Sequence, residues 1–240
     1  MCLLCNSEIK YNSIKKVIPC DKVLKLSQQL YSLNILDLSL AINIYRIPYS
    51  LTNLEFLDCS YSKITFIPNE FKRLKVLRCK NTEIYKIPKE LVNLTTLDIF
   101  GCNFIDYIPE TLIKLKNLDC GNTKIIDIPD TFINLECLHI SNTKVDTVSK
   151  KFINMKNLYC DNSLISEIPE ELINLERLNC SYNILISNIP VTLLKLELLC
   201  IQYTSITYIP KELIKLRTLY CELCQLEIVS KSITNLKICK

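Results

Sequence analysis

Pro109-Glu110-Thr111-Leu112-Ile113-Lys114-Leu115-Lys116-Asn117-Leu118-Asp119-Cys120-Gly121-Asn122-Thr123-Lys124-Ile125-Ile126-Asp127-Ile128 is the stretch that decides the fold. After the proline, its spaced apolar positions are Leu112, Leu115, Leu118, Cys120, Ile125 and Ile128, with gaps of 3, 3, 2, 5 and 3 residues. An amphipathic helix would mix threes and fours throughout. The gap of two between Leu118 and Cys120 instead puts both side chains on one face of a short strand.

The same unit recurs along the chain. Pro48, Pro68, Pro88, Pro109, Pro129, Pro169, Pro190 and Pro210 fall 20 or 21 residues apart with one double gap, and Ser149 and Ser230 take the place of further prolines. A fixed period of this length marks a solenoid, and it is too short for a helix-turn-helix repeat. The spacing predicts an N-terminal cap over 1–26, ten repeats over 27–229, and a truncated eleventh repeat or C-terminal cap over 230–240. Within the cap, Val23, Leu24 and Leu26 suggest a strand. The C-terminal stub keeps Ile233 and Leu236 at repeat positions and carries no polar capping motif.

Leu74-Lys75-Val76-Leu77-Arg78-Cys79-Lys80-Asn81-Thr82-Glu83-Ile84 and Leu115 through Ile125 carry the pattern LxxLxLxxNxL. It resembles the leucine-rich-repeat family. Cysteine often replaces the third leucine, as at Cys59, Cys79, Cys120, Cys160, Cys180 and Cys221. Threonine or serine usually takes the asparagine position (Ser62, Thr82, Thr123, Thr143, Ser163, Thr204), while Asn183 keeps the family residue. The short period and Ile-Pro-x-x-Leu tail are similar to repeats of bacterial effectors and large DNA viruses. The resemblance implies an α/β-type repeat solenoid: a horseshoe with a parallel sheet on its concave face and short helical, 3-10 or extended convex segments. A hydroxyl does part of what the asparagine amide does for the turning backbone, and Ala41 cannot do it at all.

Composition removes several function classes. With 49% hydrophobic and 22% charged residues the chain can bury a core, and a net charge of +4 does not argue for nucleic-acid binding. Gly101 and Gly121, the two glycines, cannot form a phosphate loop, and one histidine excludes HExxH chemistry. No signal-peptide pattern opens the sequence and no 18-residue apolar run crosses it, so no membrane association is expected. The 14 cysteines therefore read as reduced thiols of a cytoplasmic or other intracellular protein. Directly opposed parallel strands also hold Cβ atoms too far apart for a relaxed disulfide between Cys59 and Cys79 or Cys160 and Cys180. Cys2-x-x-Cys5 and Cys221-x-x-Cys224 belong to opposite ends of the array, so no zinc site, other metal or cofactor is expected.

Strand alternation exposes one face to solvent. Between the two core positions of each strand stand Asp37, Asp58, Arg78, Asp98, Asp119, His139, Tyr159, Asn179, Cys200 and Tyr220. Phe56, Asp58, Arg78, Asp98, Phe100, Asp119, His139, Tyr159, Arg177 and Tyr220 are the candidate binding residues, because aromatic anchors and charges dominate protein interfaces. The function expected is a non-enzymatic scaffold, a monomer that binds a protein through its concave sheet; the acidic stripe favours a basic partner. One alternative is self-assembly through the C-terminal edge. Another is a cysteine hydrolase using Cys137, His139 and Asp119, for which an open sheet offers no oxyanion donors.

Overall fold

A computed structural model describes residues 16–17, 26, 30–234 and 236–239, which fall into two compact units, Met1–Lys124 and Ile125–Lys240. The first contains β1 (Lys16–Val17), β2 (Ile35–Asp37), β3 (Phe56–Asp58), β4 (Val76–Arg78), β5 (Thr96–Asp98) and β6 (Asn117–Asp119). Each pairs in parallel with the next, which aligns Leu36, Leu57, Leu77, Leu97 and Leu118 across the sheet. The second contains β7 (Cys137–His139), β8 (Asn157–Tyr159), β9 (Arg177–Asn179), β10 (Leu198–Cys200), β11 (Tyr208–Ile209), β12 (Thr218–Tyr220), β13 (Ile228–Val229) and β14 (Lys237–Cys239). Here Leu138, Leu158, Leu178, Leu199, Leu219 and Ile238 align, and β11 with β13 forms a separate two-stranded parallel sheet.

The strands are short because only three residues separate one turn from the next. The central leucines of β2 to β10 and β12 are buried to within 1% of complete. Phe71, Phe132 and Phe152 fill the leucine site that opens the outer segment in their coils. The outer segments form no helix among the described residues. They are successive hydrogen-bonded turns: Leu112 N–H donates to Pro109 O at 3.2 Å and Leu115 N–H to Leu112 O at 3.1 Å. Leucines three residues apart must all point inward, and two tight turns achieve that where a 3.6-residue period would drift.

The N-terminal end differs from the sequence-based expectation. The N-terminal strand is Lys16–Val17, with Val17 opposite Leu36, 19 residues back along the chain. Leu26 is buried but belongs to no strand, while Val23 and Leu24 lie outside the described residues. At the other end an eleventh main-sheet strand of the repeat series does form, as β14 pairs with β12.

Most coils are sealed after their strand by a side chain bonded to the backbone. Ser62, Thr82, Thr123, Thr143, Ser163 and Thr204 donate their hydroxyls to the carbonyl three residues back at 2.6–2.7 Å. Asn183 does more: its Nδ2 donates to the Cys160, Cys180 and Ser181 carbonyls, and its Oδ1 accepts from Ser163. Cys224 fills the role with its thiol donating to Cys221 O, whereas the Cys102 thiol donates to Cys79 O of the preceding coil. Ala41 leaves closure to the main chain, with Ala41 N–H donating to Leu38 O at 2.9 Å.

The residue before the sealing position adopts a left-handed conformation in every coil from Leu40 to Leu223, at intervals of 20 or 21 residues. Its N–H then reaches the neighbouring coil, as Tyr61 to Lys80 O at 2.8 Å and Tyr182 to Gln202 O at 2.7 Å. Gly101 (φ 71°) occupies one of these positions, and a Cβ there would run into the Asn81 side chain. Leu40, with φ 62° and 68% exposure, carries the strain with most of its side chain in solvent.

Leu40→Asn is therefore expected to raise stability in urea by about 1 kcal/mol, and Gly101→Ala to lower it by at least as much. Asn183→Ala, which strips several buried groups of their partner at once, is expected to cost at least about 2 kcal/mol against about 1 for Thr143→Val. Urea midpoints of the four variants check both statements.

Candidate protein-binding face

The outward rows of the first unit bring charge and aromatic surface together. The Arg78 guanidinium lies over the Phe56 ring, 5.7 Å from its centroid, and the Lys80 ammonium lies 5.8 Å from that of Phe100. Lys80 also meets Asp98 at 3.1 Å and Asp119 at 3.7 Å. Asp58 and Asp98 flank Arg78 in the register, but Asp58 accepts Ser60 N–H at 3.0 Å and Asp98 turns to Lys80. Among the described residues the exposed Arg78 side chain thus has only its ring contact, beside a depression of about 470 Å³ lined by Ser39, Asp58, Tyr61, Lys80 and Asp98.

The Lys80–Asp98 pair is asymmetric. Burial works to lower the Lys80 pKa, but its hydrogen bond with Asp98 and the charges of Asp98 and Asp119 outweigh it, and the net shift is upward. A simple ion pair would pull the acid down. Burial instead pushes Asp98 up, against the Lys80 bond and with help from the Asp119 charge. Its deeper position explains this: the Asp98 side chain is 13% exposed, that of Lys80 36%.

On the second unit the His139 and Tyr159 rings lie 5.6 Å apart, and Arg177 Nη1 donates to Asn157 Oδ1 at 3.2 Å. Tyr220 is 37% exposed at β12. Phe56, Phe100 and Tyr159 are half-buried rather than fully exposed. Of the residues considered for a nucleophile, Asp119 belongs to the first unit, where it accepts Gly121 N–H and faces Lys80. Cys137 and His139 belong to the second, on β7. Tyr182 and Tyr203, both left-handed, stack with centroids 4.8 Å apart. The sequence reading did not select them, nor Lys80, although Asp98 and Asp119, the acids that Lys80 meets, were visible.

The core thiols of Cys59, Cys160 and Cys180 are free and point at the neighbouring coil, donating to Arg78 O, Asn179 O and Cys200 O at 3.4–3.5 Å. Burial pushes Cys160 and Cys180 well above the ordinary thiol range, so they remain protonated hydrogen-bond donors.

The family model described as Leucine Rich Repeat matches residues 53–74 and 93–115. No curated protein matches the sequence. Among solved structures, a leucine-rich-repeat protein of Leptospira interrogans aligns with a TM-score of 0.77 at 25% identity, covering 89% of this chain and 62% of that one. The functional domain of InlJ from Listeria monocytogenes, which includes a cysteine ladder, aligns at 0.76 and 22%, covering 87% and 53%. The ectodomain of the Arabidopsis receptor kinase HAESA aligns at 0.65 and 24%, covering 82% and 39%. The chain therefore spans less than two thirds of each of these proteins. Coil length, strand register and the matched repeats give the chain a leucine-rich-repeat solenoid fold, one typical of protein-interaction modules.

Because folding raises the Asp98 pKa, the stability contributed by this group is fully present below its ordinary value of 3.8 and lost as pH rises through the folded value. A carboxyl NMR titration is expected to place Asp98 above 3.8, and Lys80→Met, which removes the cation holding it down, to move it higher still.

Proposed function

We propose that this protein is a non-enzymatic scaffold that binds a partner protein through the sheet face of its coils. The carrying observation is Arg78: a guanidinium held over Phe56, exposed, unmatched by either acid beside it and bordering a depression. Exposed ion pairs contribute only about 0–1 kcal/mol to stability, so the charge and ring surface on this face is better accounted for by recognition than by folding. A partner of basic character suits Asp37 and Asp58, which lie opposite each other on β2 and β3 and whose carboxylates accept from the neighbouring Ser39 and Ser60. The HAESA ectodomain, of the same fold, is seen in complex with a peptide hormone ligand. The buried free thiols fit a reducing, intracellular compartment.

A second reading, association of two copies through β14, draws on Ile238, which is 43% exposed where the aligned leucines are buried.

The test is affinity capture with three folded proteins, each checked by circular dichroism. They are wild type, the face variant Arg78→Ala/Tyr159→Ala, and the outer-surface control Ile153→Ser, whose side chain is 53% exposed. A partner retained by wild type and the control and lost by the face variant is expected. Equal retention by all three would overturn the assignment. Light scattering on the same samples addresses the second reading: oligomers that grow with concentration and vanish in Ile238→Lys would support association through β14.

A further inference from the structure

On the second unit's sheet face, Asp161 carries a charge that no cation meets. Its Oδ1 accepts the Ser141 hydroxyl at 2.6 Å and Asn179 Nδ2 at 2.8 Å, and among the described residues it forms no ion pair. Main-chain bonds from Asn142 N–H to Asp161 O and from Asn162 N–H to Ser181 O set Asp161 between Ser141 and Ser181 in the register. Ser141 is occupied by Asp161. Ser60, in the equivalent row of the first unit, accepts Lys80 N–H at 3.2 Å. Ser181 differs from both: it is 2% exposed and among the described residues its Oγ has no hydrogen-bond partner. A buried hydroxyl left in that state opposite a half-buried carboxylate is costly unless something supplies the missing bond. The Asp161 charge is felt nearby: the Cys200 thiol is pushed up to about 11, by burial first and by Asp161 second.

We propose that Asp161 and Ser181 form a subsite for a primary ammonium group, the side chain of a lysine on the partner protein. An ammonium is a compact single charge with three rotatable donors, suited to one carboxylate and one hydroxyl on adjacent strands about 4.8 Å apart. A guanidinium would want two parallel acceptors on one group, and Asp161 Oδ1 is already taken twice. A divalent cation needs six or more oxygens and has one anionic side chain here. Tyr159, two residues upstream on the same face, offers an aromatic wall to the lysine stem. Of the other charged groups on this face, Arg177 is engaged with Asn157 on the adjacent strand and Glu222 with Gln202, and Lys237 lies on β14.

This assignment rests on the sheet face being the binding surface. The test uses the full ¹⁵N-labelled chain titrated with Nα-acetyl-lysine N-methylamide and, separately, with the uncharged isostere Nα-acetyl-norleucine N-methylamide. The lysine compound is expected to shift the Ser141, Asp161 and Ser181 amides saturably and the norleucine compound to leave them in place. Asp161→Asn is expected to abolish the response and Ser181→Ala to weaken affinity about three- to tenfold. No saturable shift at these amides, an equal response to norleucine, or a response unchanged in Asp161→Asn would overturn the subsite. Capture separates this failure from that of the wider reading. If Asp161→Asn keeps a partner that Arg78→Ala/Tyr159→Ala loses, the lysine subsite falls and the face stands.

Discussion

Within each unit the main chain bonds sideways, from one coil to the next, and nearly everything else follows from that constraint. Leu38 N–H donates to Asp58 O while Phe56 N–H donates to Asn34 O, and the exchange repeats along the unit. Equivalent residues of successive coils are thereby held one strand spacing apart. Each core position must accept the same kind of side chain many times over, so leucine recurs at the strand centre and phenylalanine enters where the outer segment leaves room. Each buried polar side chain must find its partner within its own coil or the adjacent one. A hydroxyl three residues past a carbonyl meets that demand with one bond, Asn183 with several, and Cys102 with a sulfur.

The same register creates the surface chemistry. It sets Asp37 opposite Asp58 and Asp98 opposite Asp119, where like charges oppose one another. Lys80 relieves the second pair, and burial keeps Asp98 reluctant to ionise even so. Asp37 and Asp58 turn instead to neighbouring serines. The same face holds Arg78 between two acids that turn to other partners, and among the described residues it leaves the Ser181 hydroxyl without a bond.

Much of this could be read before the fold was seen. The proline ladder gave the period, and the two-residue gap between Leu118 and Cys120 gave the strand, so the outward rows from Asp37 to Tyr220 were read correctly. The left-handed ladder was hidden because its usual marker, glycine, appears only at Gly101; Leu40, Tyr61 and Leu223 give no local signal, and the neighbouring coil imposes their conformation. Asn53, Asn93, Asn154 and Asn174 also escaped notice. Their amides donate to carbonyls 21 or 22 residues upstream, a contact that exists only once coils stack. The first strand was sought at Val23 to Leu26 on hydrophobicity, whereas Val17, opposite Leu36, lies 19 residues back, one short of the period read from the prolines. Which charges on the face pair and which remain unmatched depends on side-chain reach, and a one-dimensional pattern does not contain it.

Sealing most coils with their own side chains has a mechanical consequence. A load applied along the chain at the end of a unit meets the bonds of one interface at a time, because a coil is tied only to its neighbours. Each coil that detaches releases about 20 residues, roughly 70 Å of extended chain, while the coil beneath keeps its hydroxyl-to-carbonyl closure. Such a unit lengthens in discrete steps under tension, and the coil closed by Asn183 is the one built to hold longest.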